Sequence, residues 1–137
     1  MAKRTRDFMI RAIFWDFYGV INIEGHLNPE VAEFIKLSRG KYVFAILSAS
    51  NKDLHPWLEQ NNINKYFDLV QITKELGISK TDPNFYKTAL NKLNAKPDEV
   101  LFVDDIESYL NVAKVLGINT LLYDSTQKLS SQIVKLL

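Results

Sequence analysis

Five residues at or near the ends of apolar runs carry oxygen or charge that could act together. Asp16 follows the run 10–15 (IRAIFW), Ser48 follows 42–47 (YVFAIL), and Asp104 and Asp105 follow 100–103 (VLFV). Lys80 stands in GISKTDP, just before a helical pattern. Two or three carboxylates gathered in one crevice repel one another unless a cation sits among them, and oxygen-only ligation suits a hard ion such as Mg²⁺. Lys80 could supply positive charge from the protein itself. Taken singly, each residue has a plainer explanation: Asp16 and Asp104 end strands, and Ser48 begins a turn. Taken as a set, they point to a site.

Such a site needs elements that bring strand ends to one edge. The runs 10–15, 42–47, 100–103 and 119–123 are rich in β-branched or aromatic residues and too short for helices, so they read as strands buried on both faces, as in a parallel sheet. Between them lie helical patterns. The helix over 29–39 has Asn28 as N-cap and Pro29 at its first position, buries Val31, Phe34 and Ile35, with Leu37 a further candidate, and stops at Gly40. A helix over 52–60 contains Pro56, which should kink or shorten it. Further helices are expected over 83–93, through Leu110, Ala113 and Leu116 before Gly117, and over 126–136. The segment 66–72 (YFDLVQI) fits either a short strand or an irregular apolar stretch. This alternation predicts an α/β fold, a doubly wound parallel sheet flanked by helices with right-handed crossovers. Ligands of such sheets sit at the carboxyl ends of the strands, where the residues above stand.

Composition narrows the function. The chain has 137 residues, of which 47% are hydrophobic, enough for a real core. No internal repeat, low-complexity tract or linker divides it, so 1–137 is expected to form a single domain. With 17 basic and 16 acidic side chains the net charge is +1, so bulk charge draws it to neither nucleic acid nor a membrane surface. Lys3, Arg4, Arg6 and Arg11 read as a solvated basic terminus rather than a nucleic-acid contact. The absence of cysteine excludes disulfides, thiolate zinc sites and a Cys nucleophile, and His26 and His55 are too few for a His-rich metal centre. His26 is the better candidate for a stray acid-base group; His55, Trp15 and Trp57 read as packing or surface residues. No apolar run approaches the ~20 residues that span a bilayer, and the start MAKRTRDFMIR lacks a secretory apolar stretch, which predicts a soluble, cytoplasmic protein.

Four segments in order, Asp16-Phe17-Tyr18-Gly19-Val20, Ser48, Lys80, and FVDD with Ala113 and Gly117, resemble the four motifs of the haloacid dehalogenase (HAD) superfamily of aspartate-nucleophile hydrolases. The resemblance covers nearly the whole chain. It implies a Rossmann-like core in which Asp16 attacks phosphorus and forms an aspartyl-phosphate. It places Mg²⁺ against the Asp16 carboxylate, the backbone carbonyl of Tyr18 and Asp105, with Asp104 bound through water or paired to Lys80. Ser48 and Lys80 would hold the transferring group. Gly19 would permit the sharp turn after the strand.

The chain departs from this pattern in a telling way. HAD phosphatases place a second Asp two residues after the nucleophile as general acid and base; here Tyr18 stands there. A phenol with pKa ~10 is a poor base at neutral pH, and losing a positioned acid-base group costs ~10² to 10⁴ in rate. Alkyl phosphates should then be slow, and leaving groups that need no proton should suffer less. Asp-x-Tyr-Gly also resembles the 2-haloacid dehalogenases, but those enzymes lack an Asp-Asp pair in the fourth motif and carry a cap domain. Only 31 residues lie between Asp16 and Ser48, room for a helix, a strand and a small flap over 21–27. Ala49 replaces a common Asn, Thr81 a usual Pro and Tyr109 a frequent Asn or Asp. The leading expectation is a capless, Mg²⁺-dependent phosphatase-type hydrolase of a phosphorylated small molecule. Its open site would be accessible to water or to a covering partner, a second copy of the chain included. A fold-retaining binding or regulatory protein and a 2-haloacid dehalogenase are the alternatives.

Overall fold

The structure, a computed structural model, describes residues 9–137. Strands β1 (Ala12–Trp15), β4 (Val43–Ser48), β5 (Leu69–Ile72), β6 (Val100–Asp104) and β7 (Asn119–Leu122) form one parallel sheet in the order β5-β4-β1-β6-β7. A two-stranded antiparallel hairpin, β2 (Asn22–Ile23) and β3 (His26–Leu27), stands apart from it in the expected flap. The helices are α1 (Pro29–Leu37), α2 (His55–Gln60), α3 (Thr73–Leu76), α4 (Pro83–Leu93), α5 (Glu107–Val115) and α6 (Leu129–Ile133).

Alternation along the buried strands separates two apolar layers, one on each sheet face. Ile13, Trp15, Phe44, Ile46, Leu101 and Val103 join one cluster, to which α1 adds Val31 and Ile35. Ala12, Phe14, Ala45, Leu47 and Phe102 join the other, to which α4 adds Phe85, Tyr86 and Ala89 and α5 adds Leu110 and Ala113. Burial on both faces is what the near-continuous apolar runs require. Asn28 caps α1 as the sequence predicts, its Oδ1 accepting from Glu30 N at 3.2 Å; at the start of α4, Asp82 Oδ1 accepts from Asn84 N at 2.9 Å, and a proline stands in the first turn of each helix.

Several details differ from the sequence reading: α1 ends at Leu37, whose side chain is 79% exposed rather than buried. Pro56 shortens its helix, one of the two expected outcomes, rather than kinking it: it lies in the first turn of α2, which begins only at His55, because a proline lacks the N–H that the helix interior needs. The ambiguous 66–72 segment resolves into β5, an edge strand over Leu69–Ile72, behind the 3₁₀ turn Asn64–Tyr66. The last helix starts at Leu129 rather than 126, since Asp124 Oδ1 accepts the Thr126 N–H and holds that stretch in a turn. Lys3, Arg4 and Arg6 lie outside the described residues, whereas Arg11 pairs with Glu99 at 3.1 Å.

The sheet order has one consequence for function. From β1 the chain moves outward to β4 and β5, then returns to the other side of β1 for β6 and β7. The reversal falls between β1 and β6, and in open sheets that crevice, at the carboxyl ends, is where ligands bind.

Candidate active site

Register brings the acids together. Trp15 pairs with Val103, so Asp16 and Asp104, the next residue on each strand, stand side by side, and Asp16 N donates to Val103 O at 2.9 Å. Both aspartates continue the alternation of Phe14 and Phe102, and therefore belong to the side of the sheet that α4 and α5 cover. Each of Asp16, Asp104 and Asp105 offers a carboxylate oxygen within 4.8 Å of the others. The first two are buried and Asp105 is exposed.

Lys80 arrives at this cluster from the loop before α4, although 64 residues separate it from Asp16. Its Nζ donates to Asp16 Oδ1 at 2.6 Å and makes an ion pair with Asp104 Oδ2 at 2.8 Å, with the lysine side chain only 1% exposed. The Asp104 contact is electrostatic rather than an aligned hydrogen bond, since Oδ2 has no hydrogen-bond partner, while Asp104 Oδ1 accepts the Ile106 N–H at 2.9 Å. Burial pushes the Asp16 carboxyl up, to about 8, against the opposing charge of Lys80 and with the Asp104 charge adding to the rise. Asp104 is raised as well, chiefly by burial. Two desolvated carboxylates with one ammonium form a site short of positive charge.

The donor set fits a hard divalent ion: carboxylate oxygens alone, one of them exposed, converging where the protein's own cation leaves charge uncompensated. The turn after β1 is shaped for it. The Phe17 carbonyl accepts from Ile21 N at 3.0 Å and Asn22 N at 2.9 Å, and Gly19 has φ of +91°. A Cβ at Gly19 would overlap the Asp105 carboxylate, so only glycine lets the turn lie against that acid.

Ser48 ends β4 fully buried, and its hydroxyl has no hydrogen-bond partner. A buried orphan of this kind is rare in folded proteins and calls for a ligand or another explanation. It is not bonded to Asp16 or Lys80. Tyr18 is 47% exposed, and its ring packs edge-on against Phe17, itself edge-on to Trp57. His26 and His55 are exposed, and His55 Nδ1 lies 2.8 Å from Asn64 Oδ1. Trp15 is core.

Two tyrosines hold the lysine in ways the motifs do not describe. The buried Tyr86 hydroxyl donates to the Lys80 carbonyl at 2.7 Å, which ties α4 to the loop carrying the lysine. Tyr109, on α5, sets its ring beneath the ammonium, 4.7 Å from Nζ to the centroid. The sequence marked position 109 only as a departure from a frequent Asn or Asp. Beside Gly19 and Asp105 opens a groove of about 620 Å³ whose lining includes Tyr123, Ser125, Gln127 and Lys135. Between β1 and β4 the chain holds only the hairpin and α1, so no cap domain is inserted there.

The sequence pattern of the haloacid dehalogenase-like hydrolases matches residues 3–117. The chain belongs to that family. Among its HAD relatives, the phosphorylated carbohydrates phosphatase of Thermotoga maritima is 32% identical over 94 residues, covering 66% of this chain and 43% of that protein. The (S)-2-haloacid dehalogenase 4A of Burkholderia cepacia is 34% identical over 94 residues, covering 67% of this chain and 41% of that one. The chain spans less than half the length of these curated relatives. Among solved structures, a HAD family enzyme of Bacteroides thetaiotaomicron in complex with magnesium and inorganic phosphate superposes with a TM-score of 0.76 at 17% identity, over 89% of this chain and 98% of that one. The shared fold is the HAD core, an α/β Rossmann-like sheet with helices on both faces.

Proposed function

We propose that this HAD protein is a Mg²⁺-dependent phosphatase-type hydrolase that works through an aspartyl-phosphate on Asp16 and favours phosphoryl groups whose leaving group needs no proton. The observation that carries the proposal is the convergence of Asp16, Asp104 and Asp105 around one buried lysine. Phosphatase relatives support it, as does the magnesium and phosphate named for the Bacteroides enzyme.

Asp16, Asp105 and the Tyr18 backbone carbonyl would hold the ion, with Asp104 kept back by Lys80. When bound, Mg²⁺ neutralises charge on the phosphoryl oxygens. Lys80 bonds Asp16 at Oδ1, which leaves Oδ2 to attack phosphorus; the new O–P bond forms as the bond to the leaving group breaks and its electron pair departs with that group. The Ser48 hydroxyl, without a partner inside the protein, donates to a phosphoryl oxygen. Water then attacks phosphorus, giving phosphate and regenerating Asp16. Tyr18 supplies no acid for the first step and no base for the second, so acyl and aryl phosphates should exceed alkyl phosphates.

The substrate is a phosphorylated small molecule, admitted by the groove beside Asp105; nucleic acid and membranes are not partners. The open cleft leaves room for a second copy or another partner to cover it. Residues 1–137 form one domain, and the protein is cytoplasmic; among the described residues no helix is long and apolar enough to cross a membrane.

The direct test is Mg²⁺-dependent hydrolysis of acetyl phosphate or an aryl phosphate by the wild type and by Asp16→Asn. Turnover should disappear in the variant, and equal rates would remove Asp16 as nucleophile. Tyr18 favours one rival, a binding protein of the same fold that does not turn over; such a protein would bind vanadate with Mg²⁺ but hydrolyse neither ester. Likeness to the Burkholderia dehalogenase favours another, whose mark would be metal-free halide release from a 2-haloacid.

A further inference from the structure

We propose that Tyr109 is a positioning residue for the nucleophile: the face of its ring holds the Lys80 ammonium turned inward on Asp16, so that Lys80 orients the attacking carboxylate. The proposal rests on Asp16 being the nucleophile, as argued above.

An ammonium has three N–H donors and no acceptor. Here one is bonded to Asp16 Oδ1 at 2.6 Å, Asp104 Oδ2 lies 2.8 Å from the nitrogen, and the Tyr109 and Phe102 rings lie 4.7 and 5.5 Å from it. The ammonium is thus enclosed by two carboxylates and two ring faces, with the side chain 1% exposed. A cation over a π-face is attracted most strongly where water is excluded, as here. An amide or carboxylate at 109 would instead offer a discrete acceptor in competition with Asp16. The ring attracts diffusely and leaves the bond to Asp16 undivided.

The seat is braced from behind. Tyr109 packs half-buried on the second apolar cluster, and its carbonyl lies 3.4 Å from the Tyr86 hydroxyl, which donates to the Lys80 carbonyl at 2.7 Å. One hydroxyl therefore touches the backbone at both ends of the pair. The lysine is located through its main chain by Tyr86 and through its ammonium by Tyr109, which keeps its charge on the nucleophile.

The test uses Tyr109→Phe and Tyr109→Leu in the full chain, with thermal unfolding to establish that each folds. Two readouts apply: steady-state hydrolysis of acetyl phosphate with Mg²⁺, including inhibition by vanadate, and the NMR signals of the Lys80 side chain, which a ring beneath the ammonium displaces upfield. Tyr109→Phe keeps the π-face and should retain the displaced signal and a rate within about threefold of wild type. Tyr109→Leu should lose the displacement and about tenfold in kcat, with KM and the vanadate inhibition constant changed less than about threefold. A kcat unchanged in the leucine variant would overturn the proposal. So would a loss confined to KM and vanadate affinity with kcat unchanged, since the ring would then serve binding and not the attacking carboxylate. If the wild type hydrolyses nothing, the hydrolase reading fails alone and the NMR comparison still decides the seat. If Tyr109→Leu does not fold, the wild-type signal decides: ordinary lysine shifts for Lys80 would overturn the proposal.

Discussion

Gly19 and Asp105 share one corner of the cleft, and the backbone of the glycine runs where any side chain would collide with the aspartate carboxylate. The turn after β1 and the end of β6 thus meet through an atom that is missing. With φ at +91°, Gly19 also sits where an L-residue is strained. Gly19→Ala should lower stability by about 1–3 kcal/mol and displace Asp105 from the acid cluster. Mg²⁺ should then raise the unfolding temperature of the variant less than that of the wild type, as followed by thermal melts with and without the ion.

Ser48 presents the reverse case, a side chain whose removal should help the fold. Its hydroxyl is buried with no partner, and such a group costs about 1–3 kcal/mol of desolvation that no hydrogen bond returns. Ser48→Ala should leave the melting temperature equal or higher, while phosphoryl transfer falls by about 10²-fold, in the range seen when one positioned donor is lost. A matched set of melts and rates checks both signs; parallel losses would make Ser48 a structural residue only.

Stability of the metal-free protein should fall as pH rises. Asp16 is pushed up to about 8 by burial, against a value of about 3.9 in the unfolded chain. The folded state therefore holds that proton more tightly. The resulting stabilisation is complete below the unfolded value and is lost as pH climbs through the folded one. Asp104, raised by burial too, acts in the same direction. Urea midpoints with a chelator present should decline from about pH 5 to about pH 8, less steeply in Asp16→Asn, which should be the more stable protein at the upper end. Added Mg²⁺ should restore the wild type there, because an ion bound only to the folded state stabilises it by mass action.

Tyr18 is the residue to change if the site is otherwise complete. Placed 47% exposed on the rim, it can be replaced at little cost in stability, within about 0.5 kcal/mol. Tyr18→Asp should raise turnover of an alkyl phosphate by about 10²-fold or more, while an acyl phosphate changes far less. Rates with both esters in both proteins measure this. No gain on the alkyl ester would favour the non-catalytic reading.

The features set by neighbours in sequence were legible without the fold. Period and composition mark VLFV and YVFAIL as two-faced strands, Asn28 announces a helix start through its own side chain, and strand-end positions single out Asp16, Ser48 and the Asp104–Asp105 pair. Each of these depends on interactions within a few residues or on one periodicity. Where two periodicities fit, as over 66–72, only pairing with β4 decides, because an edge strand exists by virtue of its partner. The same holds for 126–128, where an aspartate side chain outcompetes the helix for a backbone N–H. At the site, the sequence could name Lys80 as a cation but not choose whether Asp104 takes water or lysine; it left Tyr86 silent and marked Tyr109 only as a departure from a frequent Asn or Asp. Those contacts join segments 6 to 64 residues apart, and their geometry follows from sheet order and from how α4 and α5 pack on one face. Local chemistry thus determined which groups are present; the long-range packing of the sheet and its helices determined which of them touch, and which of the acids keeps a free oxygen.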